Sequence, residues 1–347
     1  MKNITRKKIL TIGHPAGVTN RRSVWPIFLP FAGCRQKCIF CAQNLTTGRG
    51  KVGDYKSLVV RELERLQIQS QKRGKIYGLG FFGGTFTGLD LELQDWILTK
   101  VEALKKQGII NFVCLSTRPD YITPEVVSLL SNKVDLVELG VQSFDTSVLL
   151  ASFRGYSREV IFQAVELLNK YQLKFGFQLL PGLPKHSLEL FYKDIELTIS
   201  LKPATLRIYP CLVLKGTSLA RLYKQGVYQP WSLRTTIEAL GKAVLKIWQA
   251  KIQILRIGLT PEPSLISNIL AGPWHAALGF LAKSLALNTY LHSIVNRLDW
   301  TPREILVPVR YAAEFFGYKN QYKPFWQNLN NISVCIKIGN FEQFIFC

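Results

Sequence analysis

Between residues 24 and 210, short and nearly continuous apolar runs alternate with longer amphipathic stretches, and this alternation restricts the fold more than any other feature. The runs at 25–31, 76–82, 111–116, 136–142, 174–180 and 205–209 predict strands. The segments 56–72, 91–107, 158–171 and 187–201 between them predict helices, with Leu93, Ile97, Val101 and Leu104 on one helical face. Strands buried on both faces and separated by helices are parallel strands joined by right-handed crossovers. Six such units predict an α/β fold, a partial, open TIM-like barrel.

A distinctive sequence follows each predicted strand. The first is followed by a cysteine loop, the second by Gly83-Gly84-Thr85-Phe86 and the third by Ser116-Thr117-Arg118-Pro119-Asp120. Gln142-Ser143, Pro181-Gly182-Leu183-Pro184 and Tyr209-Pro210-Cys211 follow the fourth to sixth. Loops at the carboxyl ends of barrel strands converge on one mouth, where barrel enzymes place their chemistry. A site is therefore expected there on topology alone.

The cysteine loop carries the sharpest chemical signal. Cys34, Cys38 and Cys41 have the spacing C-x3-C-x2-C, which places three thiolates on one short loop. Three such ligands can hold three corners of a [4Fe–4S] cluster, leaving one iron open. The competing metal is zinc, which needs a fourth ligand; His14, Cys114 or Cys211 could supply one in space. Seven cysteines, odd in number and clustered, do not form a disulfide scaffold, so a reducing cytoplasm is expected.

Lys and Arg outnumber Asp and Glu by 44 to 23, a formal charge of +21, and the first carboxylate is Asp54. Such an excess favours RNA or another polyanion, and it is also compatible with a solvated basic surface. The uncharged stretch 264–282 is interrupted by Asn268, Gly272, Pro273 and His275. A helix, a break and a second helix suit it better than a membrane span. The basic amino terminus lacks the apolar core of an export signal.

These motifs together resemble the radical S-adenosylmethionine superfamily. The resemblance rests on the cysteine loop, with Phe40 before its last cysteine, and on Phe82-Gly-Gly-Thr-Phe-Thr87. More narrowly, 116–121, 137–143, Arg154-Gly155, 182–184, 206–210, 215–217, 254–258 and 271–275 resemble the Elongator protein 3-like branch, particularly its short bacterial members. The similarity covers residues 24–285.

The resemblance implies a [4Fe–4S] cluster on Cys34, Cys38 and Cys41, the catalytic and metal-binding set. S-adenosylmethionine would be bound at the open iron and cleaved to a deoxyadenosyl radical by an electron from a flavodoxin- or ferredoxin-like donor. Phe40, Gly83, Gly84, Thr85, Ser116, Gln142, Arg154, Gln178 and Gly182 are the implied cofactor-binding positions. Gly83, Gly84 and Thr85 would lie against the methionine amino group. Ser116 stands where many relatives carry a ribose-binding carboxylate. Gln142 and Arg154 would approach the ribose and the methionine carboxylate, and Gln178 and Gly182 the adenosine side. Each polar member has an alternative role as a structural hydrogen bond of the barrel mouth.

The substrate is open, with tRNA preferred on charge and resemblance. The alternatives are a non-catalytic RNA-binding protein with a structural metal loop, and a radical enzyme acting on a small molecule. No cysteine precedes Cys34, as the extra cluster of methylthiotransferases would need, and Cys335 and Cys347 are too few for auxiliary clusters.

Expected domains are a basic segment 1–23, a core barrel 24–215, a barrel extension 216–285 and a small α+β domain 286–347. Helix 233–250 and strand 252–257 are expected to extend the barrel. The last 62 residues are too short for the acetyltransferase domain of full-length Elongator protein 3, which puts acetyl-coenzyme A-dependent tRNA carboxymethylation in doubt.

Overall fold

The computed structural model describes residues 8–17, 22–47 and 53–347. The remainder of the basic segment 1–23, which includes most of its charges, lies outside the described residues. The chain forms two compact units, one comprising 20–232 with 254–276, the other comprising the terminal segments with 233–253.

The larger unit is built on a seven-stranded sheet. Its strands in spatial order are Val24–Leu29, Tyr77–Gly83, Ile110–Thr117, Leu136–Gln142, Phe175–Leu179, Thr205–Ile208 and Gln253–Ile257. The first six pair in parallel, each with the next in the chain, as the alternation predicts. Every residue of Leu136–Gln142 is buried, which explains why that run shows no period of two. The crossover helices start and stop on local signals. Tyr55–Arg73 begins at Asp54, whose carboxylate accepts from the Lys56 and Ser57 amides, and ends at Gly74 in the left-handed region. Leu188–Leu201 begins at Ser187, whose hydroxyl accepts from the Leu190 amide.

The second unit has a four-stranded sheet in the order Leu10–Ile12, Phe344–Phe346, Glu304–Pro308, Cys335–Gly339. The helix Leu233–Gln249 packs on Leu278–Val295 within this unit. Of the helix and strand expected to extend the barrel, the strand joins the barrel sheet and the helix lies in the second unit. At Gly241 the two helices approach closely: a Cβ there would meet Leu285 Cδ2 at 2.6 Å. The stretch 264–282 is a helix, a break and the start of a second helix, with a short strand in the break. It forms a short helix Pro263–Ile266, then a strand Ile269–Ala271 paired with Val213–Leu214, before Leu278–Val295 begins. Among the described residues no helix is long and apolar enough to cross a membrane.

Candidate active site

The cysteine loop is tied down on both sides. After the first barrel strand the backbone enters the left-handed region at Phe31 and again at Gly33. A side chain at Gly33 would meet the Thr85 carbonyl oxygen at 2.2 Å, and one at Gly84 the Ala32 carbonyl oxygen at 2.2 Å. These glycines let the cysteine loop and the Gly83-Gly84-Thr85 turn lie backbone to backbone, joined by the Thr85 amide donating to Ala32 at 2.7 Å. Further along, the Ile39 carbonyl accepts from the Leu219 amide at 2.9 Å, and Ile39 packs among Val148, Leu183, Cys211 and Val213. Phe40 packs against the same cluster.

The three thiols have different surroundings. Cys38 is buried, whereas Cys34 and Cys41 are partly open. Cys34 Sγ lies 3.2 Å from Thr85 Oγ1. Burial pushes the Cys34 thiol up, against the Thr85 hydrogen bond, while burial together with the charges of Cys38 and Cys34 pushes Cys41 up to about 12. Cys38 receives guanidinium groups: Arg154 Nη1 donates to its sulfur at 3.1 Å and Arg118 Nη1 at 3.9 Å. Arg118 also donates to the Arg154 carbonyl, which ties the two loops together.

The fourth and sixth strands contribute a polar group that sequence reading missed. Arg207 Nε lies 2.9 Å from both carboxylate oxygens of Glu138. Ser116 Oγ donates to the same carboxylate at 3.4 Å, and Arg207 Nη1 lies 3.4 Å from Tyr209 Oη. A carboxylate in the otherwise apolar run Leu-Val-Glu-Leu-Gly-Val was the available signal, since a buried charge needs a partner. Gln178 is half-buried and in register with Arg207. Gln142, at the end of its strand, has φ 71°, and its buried Oε1 has no hydrogen-bond partner among the described residues. Gly182 has φ 86°, and its carbonyl accepts from Tyr228 Oη.

Cys211 is enclosed in the apolar cluster beside Tyr228, in a packing environment, and burial pushes it up to about 12. His275 is half-buried. Of the residues named above as a fourth zinc ligand, His14 pairs with Glu314 and Cys114 is buried on its strand. Among the described residues no group of three or more His, Cys, Asp or Glu side chains is arranged to hold a metal ion.

A parallel half-barrel with a three-cysteine loop after its first strand and a glycine turn after its second defines a class of cluster-bearing barrel enzymes. The radical SAM superfamily matches over residues 28–198 and the radical SAM C-terminal domain over 203–287. The chain belongs to the radical S-adenosylmethionine superfamily, whose cofactors are a [4Fe–4S] cluster and S-adenosylmethionine.

Within the superfamily its relatives are Elongator protein 3-like. It is 30% identical over 261 residues to a tRNA uridine(34) acetyltransferase of Methanocaldococcus infernus, covering 63% of this chain and 49% of that one. It is 28% identical over 216 residues to Elongator complex protein 3 of Mus musculus, covering 55% and 39%. The solved structure of the archaeal Methanocaldococcus infernus Elp3 with an N-terminal deletion shares the fold, with a TM-score of 0.60 and 24% identity over 79% of this chain and 64% of that one. The chain spans half or less of the length of these two curated relatives.

Proposed function

We propose that this enzyme cleaves S-adenosylmethionine reductively at a cluster held by Cys34, Cys38 and Cys41 and uses the radical to modify RNA, with tRNA as the preferred substrate. One observation carries the reading: three thiols on one loop, two of them partly open, at the carboxyl end of a parallel barrel sheet. When bound, the cluster and S-adenosylmethionine supply an electron and a deoxyadenosyl radical able to abstract hydrogen from carbon.

The chain's own residues bind and orient. The backbone at Gly83, Gly84 and Thr85 lies against the cysteine loop, where the methionine amino group would be received. Gln142 Oε1 is a buried acceptor without a partner among the described residues, and a ribose hydroxyl would satisfy it. Arg154 would meet the methionine carboxylate, Ser116 the ribose, and Gln178 with Gly182 the adenosine side. Phe40 closes the loop apolarly. A flavodoxin- or ferredoxin-like protein would donate the electron in the cytoplasm.

The +21 charge and the tRNA-modifying names of the relatives support RNA as substrate. The acetyl-transfer activity named for those longer relatives is not part of this proposal.

The test is anaerobic reconstitution with iron and sulfide, reduction by dithionite, addition of S-adenosylmethionine and assay of 5′-deoxyadenosine, repeated with cellular tRNA. Product that disappears in Cys38→Ala supports the reading. Protein that reconstitutes without a four-iron absorption and spin signal, or that contains zinc and stays colourless, sinks it. Full activity on a small molecule without salt-sensitive RNA binding overturns the RNA part alone.

A further inference from the structure

Arg118 and Arg154 are both almost fully buried, at 6% and 4% exposure. Arg154 has no carboxylate within ion-pair distance among the described residues. Its Nε and Nη2 go to Tyr156 Oη at 3.1 and 2.8 Å, Nη2 also to the Gly140 carbonyl at 2.5 Å, and Nη1 to Cys38 Sγ at 3.1 Å. Tyr156 is held neutral by burial, which pushes its hydroxyl up. Arg118 spends Nε and Nη2 on Asp120 at 2.9 and 2.8 Å and on the Arg154 carbonyl, and turns Nη1 to the same sulfur at 3.9 Å. Two buried cations and one carboxylate leave an unbalanced positive charge, and both leftover N–H groups converge on one cysteine. A buried cation without an anion is strongly disfavoured, and the sulfur of a cluster ligand would supply the missing negative charge.

We propose that Arg118 and Arg154 set the reduction potential of the cluster bound at Cys38, making the reduced state easier to reach; the inference rests on the cluster reading above. A cubane with three thiolate ligands is anionic and gains one further negative charge when it accepts an electron. Cations donating N–H···S hydrogen bonds to a ligand sulfur stabilise that added charge and raise the potential. The step is a one-electron transfer from the reductant to the cluster, with no bond made or broken in the chain and no proton taken up. These arginines are positioning residues for the electron.

The experiment is a dithionite titration of the reconstituted chain, followed by electron paramagnetic resonance before any S-adenosylmethionine is added, so that the methionine carboxylate plays no part. Arg154→Gln should lower the reduced-to-oxidised ratio at a given potential by tenfold or more, equivalent to about 59 mV for a one-electron couple. Arg118→Gln should act in the same direction and less, because its contact is longer. Asp120→Asn, on a partly open side chain, removes the offsetting anion and should shift the couple the opposite way, which keeps the test decisive if Arg154→Gln does not fold. A cluster that assembles but whose potential is unmoved in both arginine variants, or that shifts negatively in Asp120→Asn, overturns this inference and leaves the radical reading intact. Absence of any cluster in the unaltered chain overturns both.

Discussion

Glu138 and Arg207, 69 residues apart in the chain, meet inside the barrel sheet with Arg207 Nε 2.9 Å from each carboxylate oxygen. The carboxylate side chain is 3% exposed and the guanidinium 20%, so neither has much water to fall back on. Removing one partner leaves a buried charge uncompensated, whereas removing both leaves only a packing change. Glu138→Gln should lower unfolding stability by about 3–5 kcal/mol, and adding Arg207→Met should restore much of it. Denaturant unfolding of the single and double variants measures this. Additive losses would refute the pairing.

Gly84 tests how closely the glycine turn must approach the cysteine loop. An alanine Cβ would lie 2.2 Å from the Ala32 carbonyl oxygen and 2.6 Å from its nitrogen, both backbone atoms that cannot swing aside. Gly84→Ala should therefore cost roughly 1–3 kcal/mol of stability. It should also weaken iron retention, because the displaced loop carries the thiols. Iron content per chain after desalting is the measurement, and retention equal to the unaltered protein would count against this account of the turn.

The buried thiols give a pH prediction. Burial pushes Cys114 and Cys211 up to about 12, from an ordinary value of 9.0. A raised value in the fold favours the neutral thiol. The stability this contributes is complete below the unfolded value and is lost as pH rises through the folded one, between about 9 and 12. At pH 8 the thiolate fraction of each is on the order of one in ten thousand, against roughly a tenth for an unshifted thiol. Iodoacetamide followed by peptide mapping should label exposed Cys335 quickly and Cys114 and Cys211 only after unfolding. Rapid labelling of Cys211 in the folded chain would count against its burial.

In the second unit, Asn288 is a polar cross-link. Its Nδ2 donates to the carbonyls of Ser284, Glu314 and Phe315, and its Oδ1 accepts from Trp326 Nε1 at 2.6 Å. Trp326 is fully buried. Asn288→Leu strands the indole N–H and several carbonyls in an apolar interior, at about 1–3 kcal/mol for each group left unsatisfied. Its unfolding midpoint should drop sharply, with a change in tryptophan emission. An unchanged midpoint would mean that water or a neighbouring group replaces the amide.

By itself, the sequence determined the barrel strands, the four longer crossover helices and the order of the mouth loops. Apolar runs alternating with amphipathic stretches, caps such as Asp54 and Ser187, and punctuating glycines are local signals, read within a few residues of where they act. The cysteine spacing was legible for the same reason. Tertiary structure alone decided that Arg154 reaches Cys38 across 116 residues and that Arg207 meets Glu138, because strand register and crossovers set such pairs and leave no periodic trace. It also decided that the helix Leu233–Gln249 belongs with Leu278–Val295, since an amphipathic face states only that it will be buried. Gly241 meets Leu285 there at close quarters, a contact between residues 44 positions apart.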